Sequence, residues 1–181
     1  MPVKEVLAKY TKDQIKKAAQ IKAIFFDVDG VLTNGGIIYD DTGREIKQFN
    51  VKDGYIISHL KRAGIVVGII TGRESKIVSN RAAELKLDFC HQGIMDKYVV
   101  FEKLVQFHKL KKKQVAYIGD DINDLKVLQN CGLSACPADA LDYVRNKVDV
   151  ITKSKGGEGV AREVSDLILA AKGTLDKILK A

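Results

Sequence analysis

The chain has no tryptophan, only two prolines and only three cysteines in 181 residues. Cys90, Cys131 and Cys136 are odd in number and show no CxxC spacing. A disulfide scaffold and a zinc knuckle are therefore not expected, and a reducing compartment is. With two prolines there is no linker signal, and neither internal repeats nor low-complexity tracts interrupt the chain. No uncharged apolar run approaches the roughly 18 residues of a membrane span. Residues 1–20 alternate lysines with single apolar residues and lack the continuous apolar stretch of a signal peptide. These absences predict a soluble, cytoplasmic protein forming one domain over 1–181.

Hydrophobic residues make up 46% of the chain, enough to close a core and to exclude disorder as the main state. The charge is lopsided, with 30 Lys+Arg against 23 Asp+Glu for a formal +7. Such a balance suits nucleic acid, an anionic membrane face or a small acidic substrate. The densest basic run, Lys109, Lys111, Lys112 and Lys113, has no interleaved aromatic and reads as a solvated loop. Neither nucleic acid nor membrane is expected as a partner. A small anion remains.

Short apolar runs alternate with amphipathic stretches. Strands are predicted at 22–26, 65–70, 89–91, 115–118, 133–135 and 148–151, nearly all-apolar as in strands buried on both faces. Helices are predicted at 53–63, 74–85, 97–108, 123–130, 140–146 and 159–172. This alternation implies a three-layer α/β sandwich around a central, mostly parallel sheet. Residues 35–50 break the pattern: Asp40–Gly43 supplies turn chemistry between two short strands, giving a small inserted β-hairpin. Over 1–19, Val3, Val6, Leu7 and Tyr10 at helical spacing predict one amphipathic helix.

In an open parallel sheet, ligands bind beyond the carboxyl ends of the strands. Asp27, Asp29 and Gly30 follow the first run, and Thr71, Gly72 and Arg73 the second. Gly119, Asp120, Asp121, Asn123 and Asp124 follow the run at 115–118, and Lys97 opens a helix. In extended chain, Asp27 and Asp29 point to the same side about 7 Å apart. Carboxylates gathered in this way repel unless a cation or proton sits among them. An all-oxygen cluster suits a hard cation, with Mg²⁺ the natural choice for phosphate chemistry. Thr71 and Lys97 suit a phosphoryl group, offering a hydroxyl donor and a fixed positive charge.

In this order the four motifs resemble the haloacid dehalogenase superfamily: Asp27-x-Asp29-Gly30-Val31-Leu32-Thr33, Thr71, Lys97 and Gly119-Asp120-Asp121-x-Asn123-Asp124. The resemblance implies Asp27 as nucleophile, Asp29 as acid and base, and Thr71 and Lys97 as phosphoryl ligands. It implies Mg²⁺ held by Asp27, Asp120 and the backbone carbonyl of Asp29, with Asp121 and Asp124 behind them.

The hairpin, the stretch 49–54, Thr71-Gly72-Arg73 and the glycines at 156, 157 and 159 resemble one branch of that superfamily. That branch removes the 8-phosphate of an eight-carbon sugar acid of lipopolysaccharide synthesis. Asn50, Val51, Lys52, Asp53, Gly54, Gly72, Arg73, Arg81 and Asn123 would then contact the substrate. Ser58 departs from the branch, standing where a substrate-facing arginine is expected, and Asp121-Ile122-Asn123-Asp124 follows the broader superfamily. A nine-carbon sugar-acid 9-phosphate therefore stays open as an alternative. Because the hairpin is too small to close a site, a neighbouring subunit is expected to supply the lid, in a homotetramer. A phosphoaccepting signalling module also uses aspartates, Thr and Lys on such a sheet, but its acceptor follows the third strand, where this chain has Cys90-His91-Gln92.

Overall fold

The computed structural model describes residues 2–180. Six strands form the central sheet: β1 (Ala23–Phe26), β4 (Val66–Ile70), β5 (Phe89–His91), β6 (Val115–Ile118), β7 (Leu133–Cys136) and β8 (Val150–Ile151). Their order is β5-β4-β1-β6-β7-β8 and every pairing is parallel. The motif-bearing strands β4, β1 and β6 are thus adjacent at the centre, with Phe26 level with Ile69 on one side and Ile118 on the other. Their carboxyl ends open at one edge.

β1 explains why the sheet is buried on both faces. Ile24 and Phe26 belong to one core with α3 (Val51–Arg62), α4 (Lys76–Glu84) and α8 (Val160–Ala171). Ala23 and Phe25 belong to the other, with α5 (Lys97–Phe107), α6 (Leu125–Leu128) and α7 (Asp142–Arg145). Both sets are inaccessible to solvent, which is why the strand reads as a continuous apolar run. Phe25 meets Phe89 edge to face at 4.8 Å between centroids.

Two segments differ from the sequence expectation. The single helix expected over 1–19 is two, α1 (Pro2–Leu7) and α2 (Lys12–Ala19), both packed on α8. Thr11 and Gln14 form a reciprocal capping box that starts α2 afresh, so a break replaces the continuous helix. The helix expected at 123–130 begins instead as a 3₁₀ turn at Ile122–Asp124 before α6. A last short helix, α9 (Leu175–Leu179), follows α8 beyond the predicted elements.

The insertion is an antiparallel hairpin of two-residue strands, β2 (Ile38–Tyr39) and β3 (Glu45–Ile46). Asp40 shapes its turn by accepting from the backbone N–H groups of Thr42 and Arg44. The three cysteines are free. Among the described residues, no helix is long and apolar enough to cross a membrane.

Candidate active site

Asp27 is the residue immediately after β1, and its N–H still bonds to Ile118 in the manner of the sheet. Burial leaves its carboxylate few partners. Oδ1 accepts from the N–H of Val28 at 2.7 Å, and Oδ2 lies 2.7 Å from Lys97 Nζ. The Lys97 side chain has no solvent exposure and also reaches Asp124 Oδ1 at 2.7 Å. Burial would lower its ammonium, but the charges of Asp27 and Asp124 outweigh that and hold it above its ordinary value. The lysine is thus a fixed cation at the base of the site.

Asp124 is fully buried and fully engaged. Its Oδ1 accepts from Lys97 and from the Tyr117 hydroxyl at 2.6 Å, and its Oδ2 from the N–H groups of Asp120 and Asp121. Burial and the Asp124 charge raise the Tyr117 phenol well above its usual range, so it stays a donor. Asp27, Asp120 and Asp124 have carboxylate oxygens within 4.8 Å of one another. Because Asp124 is already committed four times over, Asp27 and Asp120 are the members able to take a cation.

Asp120 shows the opposite condition. Its Oδ1 is buried with no hydrogen-bond partner among the described residues. Burial first, then the charges of Asp27 and Asp124, push its carboxyl up to about 8 against the opposing Lys97. Burial first, then Asp124, pushes Asp27 up to about 6, again against Lys97. Two carboxyls driven this way, one with an orphaned oxygen, fit a hard divalent cation. Gly30 makes the approach possible: at φ +86° it turns the chain, and a Cβ there would lie 2.0 Å from Asp120 Oδ2.

Asp27, Asp29, Thr71 and Asp120 line a single cleft of about 200 Å³, together with Gly72, Arg73, Asp121 and Asn123. Thr71 is held at the end of β4, its N–H donating to His91 and its carbonyl accepting from Ile94. Lys97 lies beneath this cleft, behind Asp27.

The substrate-contact residues expected from the sequence divide into groups. Gly72, Arg73 and Asn123 line the cleft. Val51 and Arg81 line a separate open depression of about 400 Å³ with Phe49, Ile77, Asn80 and Glu84, and Lys52 is exposed at the start of α3. Asn50 caps α3 through the Lys52 N–H and donates to Gly157 O. Asp53 is buried and accepts from the N–H of Arg162, while a Cβ on Gly54 would lie 2.3 Å from the Arg81 guanidinium. The fold therefore turns Asp53 and Gly54 away from the cleft within this chain.

The loop carrying Gly156 and Gly157 packs on its own chain. Gly157 donates to Val31 O, and a Cβ on Gly156 would strike Gly30 O at 2.1 Å. Sequence reasoning missed Glu45 and Lys47, both on the hairpin. Lys47 Nζ is hydrogen-bonded to Asp29 Oδ1, and Glu45 pairs with Lys47 and Arg73 at 3.2 Å each. Only their spacing, two residues apart at the second arm of the hairpin, marked them in the sequence.

Comparison with known proteins shows what the chain is similar to. Residues 87–164 match the family described as haloacid dehalogenase-like hydrolase. The 3-deoxy-D-manno-octulosonate 8-phosphate phosphatase KdsC of Escherichia coli (strain K12) is 42% identical over 165 residues, covering 91% of this chain and 88% of that protein. The crystal structure of the Yersinia pestis 3-deoxy-D-manno-octulosonate 8-phosphate phosphatase superposes with a TM-score of 0.90 at 43% identity, covering 91% of this chain and 89% of that one. That of the Moraxella catarrhalis enzyme, in complex with magnesium, phosphate and KDO, gives 0.92 at 38% identity, covering 94% and 98%.

Proposed function

Because the chain belongs to the haloacid dehalogenase-like hydrolases, in the family of the 3-deoxy-D-manno-octulosonate 8-phosphate phosphatases, we propose that it releases phosphate from this eight-carbon sugar acid through an aspartyl-phosphate on Asp27. The observation that carries the reading is the buried Asp27–Lys97 pair at 2.7 Å beside the orphaned Asp120 Oδ1, at the floor of the cleft that Asp29 lines. A nucleophilic carboxylate must stay ionised, and Lys97 favours that state.

In this reading Asp27 attacks phosphorus and Asp29 gives a proton to the leaving sugar oxygen. Asp29 then takes a proton from the water that hydrolyses the acyl phosphate. Thr71 donates to a phosphoryl oxygen, while Lys97 offsets charge that spreads over the equatorial oxygens. Asp27, Asp120 and the backbone carbonyl of Asp29 would hold Mg²⁺, which supplies positive charge against the phosphoryl group when bound. Magnesium bound to the Moraxella catarrhalis relative supports that choice of ion. Arg73 and Asn123 face the sugar acid.

The hairpin leaves Ile37 and Tyr39 more than half exposed and is too small to cover the cleft. We read it as a subunit contact in a cytoplasmic homotetramer that serves lipopolysaccharide synthesis, with Val51, Lys52 and Arg81 brought to a substrate at the junction of two chains. Phosphate release with Mg²⁺ from eight-carbon and nine-carbon sugar-acid phosphates tests the reading. Preference for the eight-carbon 8-phosphate supports it, preference for a nine-carbon acid moves the substrate and keeps the mechanism, and silence on the whole panel overturns it.

A further inference from the structure

Four charged side chains from three parts of the chain form a closed group at the cleft. Lys47 Nζ bonds Asp29 Oδ1 and stands 3.2 Å from Glu45 Oε1. Arg73 reaches Glu45 Oε1 at 3.2 Å and comes within 3.9 Å of Asp29 Oδ2. Two cations thus face two anions, and the Ser75 hydroxyl completes the group by donating to Glu45 Oε2. Burial would raise the Glu45 carboxyl, but Ser75 and Lys47 hold it below its ordinary value, so Glu45 remains an anchor for both cations.

The Lys47 side chain is 1% exposed, an unusual state for a lysine just past the second strand of a small hairpin. At that depth its ammonium has two carboxylate partners, Asp29 and Glu45. Asp29 Oδ1 accepts from Lys47 and, at 3.4 Å, from the Thr33 hydroxyl, which leaves Oδ2 as the oxygen with no hydrogen bond from either. A carboxyl fixed through one oxygen presents the other in a defined direction.

We propose that Lys47 is a positioning residue, holding Asp29 through Oδ1 so that Oδ2 carries the proton for the leaving group. This rests on the phosphatase reading above. In the first step a bond forms between an Asp27 oxygen and phosphorus, and the bond from phosphorus to the sugar oxygen breaks. The electron pair goes to that oxygen, which takes the proton from Asp29 Oδ2. In the second step water attacks phosphorus, its proton returns to Oδ2, and the Asp27 carboxylate is released. The hairpin is then part of the proton-transfer machinery.

The test compares leaving groups in the full chain with Mg²⁺. An alkyl ester such as the sugar-acid phosphate needs protonation of its leaving oxygen, whereas p-nitrophenyl phosphate does not. Lys47→Met is expected to lower kcat on the alkyl ester by about 10²-fold and on the aryl ester by under about tenfold, with KM little changed. Asp29→Asn serves as the reference for that bias. If Asp29→Asn shows the bias and Lys47→Met loses both activities equally, the positioning role is overturned. If Asp29→Asn itself shows no bias, the underlying assignment of Asp29 fails instead, and the role built on it falls with it. Lys47→Gln carries the same test should the methionine variant melt below the assay temperature.

Discussion

Asp53 closes a helix to which it does not belong: its Oδ1 accepts from the backbone N–H of Arg162, in the first turn of α8, at 2.7 Å. The residue at the N-cap of α8 is Gly159, which has no side chain to offer. A carboxylate from α3 supplies the missing acceptor, tying together two of the helices that cover one face of the sheet. The same carboxylate has a cost, because its Oδ2 is buried without a partner among the described residues.

That cost gives a pH dependence. Burial first, against the N–H and charge of Arg162, pushes Asp53 from 3.8 up to about 6. Between those values the folded chain binds the proton more tightly than the unfolded chain, so this group's effect on stability worsens as pH rises. The stability of Asp53→Asn relative to the native chain should therefore increase from pH 4 to pH 7, by up to about 3 kcal/mol. Asp53→Ala, which also removes the cap, should lose about 1 kcal/mol of helix capping. Urea titrations at several pH values check both, and a parallel pH response of native and Asn variant would refute the assignment.

The two aspartates of the first motif should fail differently. Asp27→Asn is expected to abolish turnover, because it replaces the nucleophilic carboxylate paired with Lys97 by a neutral amide. Asp29→Asn should keep substrate binding while kcat falls by about 10²- to 10⁴-fold on an alkyl ester. Steady-state kinetics with acid-quench detection of protein-bound phosphate separates them. Equal residual activity would contradict the division of roles.

Removing divalent cations should stop turnover and destabilise the fold, because Asp27 and Asp120 then face each other across a buried gap. Restoring Mg²⁺ to about 100 times its Kd should raise stability by about 2.7 kcal/mol. Asp120→Asn should lose most of that response, since it removes the carboxylate whose Oδ1 stands orphaned. Thermal melts with EDTA and with Mg²⁺ measure the effect, and an unchanged magnesium shift in the variant would argue against Asp120 as a ligand.

Lys97→Met should cost about 3–5 kcal/mol, because it leaves the buried Asp27 and Asp124 carboxylates without their shared cation. Tyr117→Phe should cost less, about 1–3 kcal/mol, since Asp124 keeps its other donors. Denaturant unfolding ranks the two. The reverse order would mean that the tyrosine, and not the lysine, holds the cluster together.

The exposed hairpin side chains predict the assembly. Ile38→Asp places a charge on a surface read as a subunit contact and should dissociate the oligomer. Light scattering on both chains decides this, and a monomeric native chain would remove the basis for the expected tetramer.

By itself the sequence determined the architecture and the chemical edge of the sheet. A continuous apolar run such as Ile24-Phe25-Phe26 can be satisfied only between two helical layers, and the polar residues that follow such runs must gather at the strand ends. Asp27, Asp29, Thr71 and Asp120 were legible for that reason. Tertiary structure alone decided what each carboxylate does. The resemblance set Asp124 behind Asp120, but only the fold shows that backbone donors, Tyr117 and Lys97 consume its oxygens. Asp53 looked like a ligand contact, yet it caps α8 from 109 residues away. Lys47 carried no motif, yet the hairpin folds it back onto Asp29. Local spacing specifies which face a side chain takes, whereas its partner depends on chain segments that meet only when the sheet closes.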